Sequence, residues 1–407
     1  MNKIVKFELD NGLKFFIEKT PGPTVSIQFC SKFGSAFESS KDSGAAHFLE
    51  HLVFTGTKKY TRQKVMLKID EVGGEINAYT GKENTRFYTK IQPEHLERGI
   101  DVLTEITQNS IFPIKEMETE RNIVLNEIRD SFDKPTSFIF DQFLNTLFKN
   151  TEFERPILGN NKTISNMKRK TVIDYYKKYY NPKNMILGIS GNIEIEKTTK
   201  LIQNSFLNKG KKTPKPKFKK TKTEKREVFF ERDIQQTHLC FGFQAPKTTE
   251  KEYYAFEVIN AILSGGLSSK LKHEIREKRG LAYQIFSEYV TGLHHSYFVV
   301  YAATEPKKVK KLNEILLKEL DLLKTKKVSP TVLKKAKQYF EGQEKINTED
   351  SLNRAEDLID QEIYKLPNKT KVLENIKKIT AEDILKTAKQ KIQTNDYSYV
   401  ELRPKKQ

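Results

Sequence analysis

Residues 25–30 have the sequence VSIQFC, and residues 237–243 have the related sequence THLCFGF. Both stretches are short and apolar, and both are rich in β-branched or aromatic side chains, which is typical of buried β-strands. The second stretch begins 212 positions after the first in a chain of 407 residues. A strand that returns after half of the chain indicates a duplicated domain.

Two further pairs of segments support the duplication. The strand-like YTKIQPE at residues 88–94 and VYAATEP at residues 300–306 each lead into a helical pattern. The helical TVIDYY at residues 171–176 and TAEDIL at residues 380–385 each precede a final strand. We therefore predict an α+β fold of two duplicated lobes, each a largely antiparallel sheet flanked by helices. A clamshell arrangement with a ligand cleft between the lobes is expected.

A basic segment at residues 209–226 separates the two halves. It contains ten Lys or Arg residues and one acidic residue, nearly half of the excess behind the formal net charge of +19. One Gly and two Pro interrupt it, and it has no periodic apolar pattern, which predicts a solvated linker between residues 1–208 and residues 227–407. Attraction of nucleic acid is the alternative, but no nucleic-acid-binding motif accompanies the charge. We expect no nucleic-acid partner.

The composition is that of a folded protein. Hydrophobic residues make up 37% of the chain, including 26 Phe and 17 Tyr, which excludes a largely disordered polypeptide. No apolar run reaches the length of a membrane span, and the N-terminus alternates charged and apolar residues, unlike a secretory signal. The two cysteines, Cys30 and Cys240, lie in strand-like runs, which predicts buried thiols. We expect a cytoplasmic protein without a membrane partner.

The segment HFLEH at residues 47–51 has the spacing of a metal site on a helix, for which Ser43 is the expected start. His47 and His51 are four positions apart, so they share one helix face and can reach one metal ion. Glu50 lies beside them and can take a proton from an attacking water molecule, as in the inverted form of the zinc-peptidase helix motif. A histidine pair that only packs is the alternative, and a third ligand would decide between them.

A second predicted helix, over residues 113–132, carries candidate carboxylates. At about 100° per residue, Glu116, Glu120 and Glu127 fall on nearly the same side of this helix, beside an apolar stripe. Such a row can serve a cation. It can equally be a solvated acidic stripe paired with the neighbouring Lys and Arg residues, and the spacing leaves both possibilities open.

In these motifs the chain resembles the pitrilysin/insulinase metallopeptidases, which include mitochondrial processing peptidase and many short bacterial members. The family follows its inverted motif with a downstream segment of the form ERxxVxxEI, which ERNIVLNEI at residues 120–128 matches. The resemblance implies that Glu127 joins His47 and His51 in holding one Zn²⁺ per chain. It also implies that Glu120 is a nearby assisting carboxylate.

One segment of the first half resembles the family's substrate-binding strand. Residues 73–80, GGEINAYT, match the edge strand on which an extended peptide adds by main-chain pairing. The resemblance implies that Asn77 and Ala78 lie near the scissile bond. From the residues alone, the stretch predicts only a turn followed by a strand.

Two segments of the second half resemble the other lobe's contribution to substrate binding. They are LSGGLSSK at residues 263–270 and IREKRGLAY at residues 275–283. The resemblance implies that Arg276 holds a peptide carbonyl and that Tyr283 stabilises the oxyanion. The metal motif itself is not repeated, since AFEVINA stands at residues 255–261.

The resemblance thus makes residues 1–208 a metal-binding catalytic lobe and residues 227–407 a repeat-related substrate-binding lobe. The expected function is a zinc-dependent endopeptidase, with Glu50 and Glu120 as catalytic carboxylates, that hydrolyses extended peptides or unfolded polypeptide segments. A non-catalytic structural or regulatory subunit of a related peptidase complex is the alternative. Longer family members have four lobes, so this chain is expected to form a homodimer, or a heterodimer with a related chain.

Overall fold

The computed structural model describes residues 3–206, 208–214 and 216–405, and the chain forms two compact units. Unit 1 is built from Met1–Asp130, Arg155–Lys217 and Asn347–Glu362. Unit 2 is built from Ser131–Glu154, Phe218–Ile346 and Ile363–Gln407. Each unit therefore combines segments that lie far apart in the sequence.

The strands and helices occur in groups along the chain. The strands are β1 (Ile4–Glu8), β2 (Lys14–Lys19), β3 (Val25–Ser31), β4 (Glu75–Thr80), β5 (Thr85–Ile91), β6 (Met185–Gly191), β7 (Arg226–Arg232), β8 (Thr237–Gln244), β9 (Gln284–Val290), β10 (Tyr297–Thr304) and β11 (Ser398–Pro404). The α-helices are α1 (Ala45–Leu52), α2 (Arg62–Asp70), α3 (Leu96–Gln108), α4 (Ile114–Asp133), α5 (Pro135–Leu147), α6 (Asn161–Asn166), α7 (Arg169–Tyr179), α8 (Ile195–Ser205), α9 (Tyr253–Ser264), α10 (Val309–Thr325), α11 (Pro330–Asn347), α12 (Ser351–Tyr364), α13 (Lys369–Lys378) and α14 (Ala381–Lys391). A π-helical turn covers Lys272–Glu277.

Apart from the additional edge strand β1 in unit 1, the sheets of the two units have the same strand order and connectivity. The strand order is β1-β2-β6-β3-β5-β4 in unit 1 and β7-β11-β8-β10-β9 in unit 2. Each sheet has one parallel pair, β2 with β6 and β7 with β11, and its other pairs are antiparallel. On β3, Gln28 pairs with Tyr88, and on β8, Cys240 pairs with Tyr301, at almost the same separation along the chain. The predicted α+β fold with two duplicated lobes is confirmed.

Strand β3 shows how the sequence pattern directs each face of the sheet. Ile27 and Phe29 are fully buried in the hydrophobic core of unit 1, against helices such as α3. Ser26 and Gln28 alternate with them and therefore point to the opposite face, where they are buried as well. Both cysteines are buried free thiols, as predicted.

The opposite face of each sheet is covered by a helix from the other half of the sequence. In unit 2 this helix is α5, which packs on β8 and β11. A Cβ atom at Gly242 would lie 2.6 Å from the Phe143 ring, and Arg226 donates a hydrogen bond of 2.7 Å to the Thr146 carbonyl. The missing side chain at Gly242 thus makes room for α5.

In unit 1 the covering helix is α12. The Ser26 hydroxyl bonds with the Ser351 hydroxyl at 2.8 Å, and a Cβ atom at Gly188 would lie 2.4 Å from the Ala355 carbonyl oxygen. The α12 backbone therefore lies directly on the sheet at Gly188. Helices α5 and α12 hold corresponding places in the two halves, so the exchange is reciprocal.

The basic segment at residues 209–226 contains no helix or strand among its described residues until β7 begins at Arg226, and Lys215 lies outside them. That residues 209–226 link two domains stays a prediction. The structural units differ from the division into residues 1–208 and 227–407, because α5 belongs to unit 2 and α12 to unit 1. Each of these helices packs on residues that are distant in the sequence. No helix in the described part of the chain is long and apolar enough to cross a membrane.

Candidate metal centre

Helix α1 presents His47, Glu50 and His51 on the side that faces away from the core. Its opposite side, which includes Phe48 and Leu49, is fully buried in the core of unit 1. This burial fixes the rotation of the helix about its axis, and hence the direction in which the three polar side chains point.

The start of α1 is stabilised by a side chain from outside the helix. The Glu38 carboxylate accepts hydrogen bonds from the backbone N–H groups of Gly44 at 2.8 Å and Ala46 at 2.7 Å. The predicted start at Ser43 lies two positions before the first residue of α1, Ala45, and the N-cap position is Gly44, which makes no side-chain cap. Gly44 has φ of +94°, and a Cβ atom there would lie 2.7 Å from the Leu158 carbonyl oxygen, which favours glycine.

His47, His51 and Glu127 lie together at the surface of unit 1. The Glu127 Oε2 atom, from α4, is 3.6 Å from Nε2 of His47 and 3.6 Å from Nε2 of His51. One ligand atom from each of the three residues lies within 4.8 Å of the other two. With zinc–ligand distances of about 2.0–2.2 Å, tetrahedral geometry separates ligand atoms by about 3.3–3.6 Å. The two distances from Glu127 to the histidines therefore match those of a zinc site.

Glu120 lies behind His51 instead of beside Glu50. Its carboxylate contacts Nδ1 of His51 at 3.0 Å and Nη1 of Arg62 at 2.7 Å, and the residue is 5% exposed. Burial raises the pKa of Glu120, but the hydrogen bond to His51 and the charge of Arg62 outweigh burial and lower the pKa overall. A carboxylate that accepts the Nδ1 proton leaves Nε2 available to a metal. A buried Glu120 is also incompatible with a solvated acidic stripe.

Burial favours the uncharged form of both His47 and Glu50. Burial, together with the nearby His51, lowers the pKa of His47 to about 3, which keeps its imidazole neutral, as a metal ligand must be. Burial raises the pKa of Glu50 above its ordinary value, and the hydrogen bond donated by the Thr80 hydroxyl offsets part of this rise. Glu50 is therefore a stronger base than a solvated carboxylate.

A cavity of about 380 Å³ lies over these residues. Its lining includes Glu50 and all three potential ligands, together with Ile76, Asn77 and Ala78 of β4. In the described part of the chain, β4 is paired with β5 on one side only, so it is an edge strand. The Asn77 side chain accepts a 2.8 Å hydrogen bond from the N–H of Ala78. The structure thus brings the predicted edge strand to the same cavity as the histidines.

Arg276 and Tyr283 belong to unit 2. Arg276 lies in the π-helical turn, and Tyr283 is 76% exposed just before β9. Among the described residues, neither side chain has a hydrogen-bond or ion-pair partner. Their roles in substrate binding remain predictions.

Sequence reasoning missed three residues that support the site: Glu38, Arg62 and Thr80. Thr80 lies in the segment that resembles the substrate-binding strand, but its hydroxyl serves Glu50. Arg62 lies only eleven positions after the helix motif, but its role could not be recognised, because a single Arg is not distinctive in a basic chain. Glu38 could not be recognised because its bonds to α1 cross an irregular loop.

Comparison with known proteins gives consistent matches over the chain. The family model described as Insulinase (Peptidase family M16) matches residues 14–161, and the one described as Peptidase M16 inactive domain matches residues 166–340. His47, Glu50, His51 and Glu127 all fall within the first match.

Relatives with similar length cover nearly all of the chain. An uncharacterized zinc protease from Rickettsia felis is 32% identical over 387 residues, which is 94% of this chain and 93% of the relative. The uncharacterized zinc protease YmxG from Bacillus subtilis is 28% identical over 412 residues, covering 98% of each. The crystal structure of a protease from Helicobacter pylori has a TM-score of 0.95 at 24% identity and covers 99% of this chain and 100% of that one, which shows a shared fold.

Proposed function

The chain belongs to the pitrilysin/insulinase family of peptidases, and from that premise we propose that it is a zinc-dependent endopeptidase for extended peptides or unfolded polypeptide segments. The observation that carries the proposal is the convergence of His47, His51 and Glu127 beside Glu50 in one cavity. The catalytic role falls to residues 1–208, and residues 227–407 serve substrate binding.

The donor set of unit 1 suits zinc. Two imidazoles and one carboxylate are a common set of protein ligands in catalytic zinc sites, which keep a fourth position open. His47 is held neutral by burial, and Glu120 orients His51 through its Nδ1 atom. One Zn²⁺ bound there would polarise the scissile carbonyl and lower the pKa of a nearby water molecule.

Glu50 acts as the general base and then as the general acid. Its carboxylate takes a proton from the attacking water molecule and passes it to the leaving amine. The raised pKa of Glu50 makes it a stronger base for the first step, and it helps the carboxyl keep the proton until the leaving amine takes it. Thr80 holds one of its oxygens in place. Glu120 assists by positioning His51 and does not itself reach the substrate.

Strand β4 receives the peptide along its open edge. Main-chain pairing is independent of substrate side chains, which suits a peptidase for extended segments. The Asn77 side chain, which accepts from the Ala78 N–H, would turn aside so that the peptide can accept this hydrogen bond. Arg276 and Tyr283 of unit 2 would hold a peptide carbonyl and stabilise the oxyanion.

The proposal includes self-association. Longer members of the family have four lobes, so this chain is expected to form a homodimer, or a heterodimer with a related chain. Light scattering of the purified protein, alone and with a related chain from the same cell, measures this directly. A strictly monomeric protein with full peptidase activity would contradict this part of the proposal.

The test of the activity combines metal analysis with digestion of a peptide library. The wild-type chain should bind one zinc ion and cleave. Glu50→Gln should bind zinc equally and lose activity by about 10²–10⁴-fold, the usual contribution of general acid–base catalysis. Glu118→Gln is the matched control, because Glu118 is exposed on α4 and lies outside the cavity. Equal cleavage by wild type and Glu50→Gln, or no cleavage by zinc-loaded wild type, would contradict the proposal.

A further inference from the structure

Unit 2 contains a second cavity, of about 420 Å³, whose lining includes neither Arg276 nor Tyr283. It is bounded by the end of α9, by the Gly-Gly-Leu-Ser-Ser-Lys segment at residues 265–270, and by helices α10 and α11. Its volume lies within the range of about 300–1,000 Å³ that is usual for small-molecule sites. All of its lining residues belong to unit 2, whereas the candidate metal ligands belong to unit 1.

The two glycines of this segment give the cavity its shape. A Cβ atom at Gly265 would lie 2.8 Å from the Tyr339 ring and 2.4 Å from the Ala261 carbonyl oxygen. Gly266 has φ of +80°, and a Cβ atom there would lie 3.2 Å from the same ring. The loop can therefore approach Tyr339 only because both positions lack side chains.

The interior of the cavity is apolar. Ile262, Leu323 and Ala336 are buried and form its inner surface. Tyr339 and Val332 line it while remaining 37% and 40% exposed. Large apolar side chains that stay open to solvent around a cavity favour a ligand with an apolar body.

The rim of the cavity is basic. Four lysines and His273 line it, and no acidic residue does so in the described part of the chain. Two of these lysines are already neutralised, since Lys270 pairs with Glu319 at 2.9 Å and Lys327 pairs with Glu382 at 2.6 Å. The charges of the other two lysines are therefore the ones available to a ligand.

Lys326 and Lys335 have no acidic partner among the described residues. The Lys335 ammonium group instead donates to the carbonyl oxygen of Ser268 at 3.0 Å and to its hydroxyl at 2.6 Å, which fixes it at the rim. The neighbouring Ser269 is 3% exposed, and its Oγ has no hydrogen-bond partner within the described residues. All three residues line the cavity, so its polar groups offer hydrogen bonds and positive charge to an anionic acceptor.

We propose that this cavity binds a small amphipathic anion, with a carboxylate or phosphate head at Lys326, Lys335 and Ser269 and an apolar body against Tyr339 and Val332. The basic rim supplies the attraction for the head, and the apolar interior excludes water from the body. Neither inorganic phosphate nor a neutral alcohol would satisfy both parts of the site.

Calorimetric titration of the full chain with octanoate and with octyl phosphate tests the proposal, with octanol and inorganic phosphate as the two half-ligands. At least one amphipathic anion should bind ten times more tightly than either half-ligand, and the stronger of the two identifies the preferred head. Octanol binding as tightly as octanoate and octyl phosphate, or no measurable binding of either anion, would overturn the proposal.

Charge variants locate the binding. The double variant Lys326→Met and Lys335→Met should weaken the preferred anion at least tenfold. Lys334→Met should leave the affinity for this anion unchanged, because Lys334 is exposed on α11 beside Lys335 but does not line the cavity. Equal weakening by both would instead show attraction to the general positive charge. Since binding is measured without substrate, its failure would leave the proposed peptidase activity untouched.

Discussion

Helices α1 and α9 follow corresponding strands, β3 and β8, of the two sheets, but the side chains at their corresponding positions differ. Helix α1 carries His47, Glu50 and His51, whereas the positions 212 residues later are Ile259, Ile262 and Leu263, all buried. The polar residues of α1 depend on Glu120, Arg62 and Thr80 for hydrogen bonds and compensating charge. The comparison teaches that the fold tolerates either helix, and that a metal site also requires supporting residues around it.

The faces covered by the exchanged helices differ in the same way. Arg86 on β5 is 3% exposed and forms ion pairs with Glu356, at 2.9 Å, and with Asp360, both on α12. By strand register its counterpart in unit 2 is Val299, opposite Gly242 just as Arg86 is opposite Cys30. There, α5 is held by aromatic residues, such as Phe140, which stacks on Tyr301. One exchanged helix is thus held by charges and the other by aromatic packing.

The largest effect on stability is expected when the aromatic packing of α5 on the sheet of unit 2 is removed. Phe143→Ala should destabilise unit 2 by about 3–5 kcal/mol, because Phe143 is fully buried against the sheet and its removal leaves a cavity. Hydrogen exchange resolved by peptide measures the loss in β8 and β11. Asn145→Ala, an exposed change in the same helix, should stay within about 0.5 kcal/mol. A similar effect of both variants would mean that α5 is held by something other than this packing.

Removing the ion pairs that hold α12 should have almost as large an effect on stability. Arg86→Met should destabilise the attachment of α12 by about 3 kcal/mol, because it leaves Glu356 and Asp360 without their buried partner. The readout is hydrogen exchange of the α12 peptides. Lys90→Met on the same strand removes a more exposed pair with Asp350 and should cost less than about 1 kcal/mol. If Lys90→Met opened α12 as much as Arg86→Met, the buried pair would not be the main attachment.

The hydrogen bond that supports His51 of α1 can be weakened while the proposed zinc ligands remain in place. Glu120→Gln should lower zinc affinity about 10–100-fold, because the amide holds the Nδ1 proton of His51 less strongly than the carboxylate does. Competition with a fluorescent chelator measures the affinity. Glu118→Gln again serves as the control on α4. Unchanged affinity in Glu120→Gln would show that His51 is oriented without this contact.

A buried carboxyl group on helix α9, that of Glu257, should make the stability of unit 2 depend on pH. Burial raises the pKa of Glu257 to about 7, Glu344 adds to the rise, and Tyr253 and Lys369 oppose it, while Tyr289 also faces the group. The folded chain therefore keeps a proton that the unfolded chain releases above about pH 4.5. The contribution of Glu257 to the stability of unit 2 should be fully present below that pH and be lost as the pH rises to about 7, by at most about 1.4 kcal/mol per pH unit.

Glu257→Gln should flatten this dependence, because the amide does not titrate. Urea unfolding at pH 5 and pH 7, with hydrogen exchange to report on unit 2, measures the change. A wild-type protein whose unit 2 becomes more stable over that interval would contradict the assigned sign.

Local patterns in the sequence were sufficient for the repeated strands and for the spacing of His47 and His51. They could not resolve the carboxylates on α4, because periodicity shows that Glu120 and Glu127 share a side but not whether that side is solvated. The resemblance separated the two, and the structure supplied the physical difference: Glu127 lies against both histidines and Glu120 is buried behind one of them. Burial depends on neighbours from distant segments, which a helical pattern does not contain.

The same limit explains why the helix exchange was not predicted. The amphipathic patterns of α5 and α12 show that each helix has a face to bury, but not which sheet buries it. Contacts such as Ser26 with Ser351 join residues more than three hundred positions apart. The cap that Glu38 provides for α1 was not predicted for a similar reason. Glu38 and the N–H groups that it accepts from are separated by a loop that leads to the left-handed Gly44.

The reciprocal exchange of α5 and α12 has a consequence for any attempt to divide this polypeptide. A cut within the basic linker leaves each fragment without the helix that covers its own sheet, and with a helix whose sheet lies in the other fragment. Each piece would then expose an apolar or charged surface that only the other piece can cover. The two fragments should therefore recover their structure when they are refolded together and aggregate when they are refolded apart.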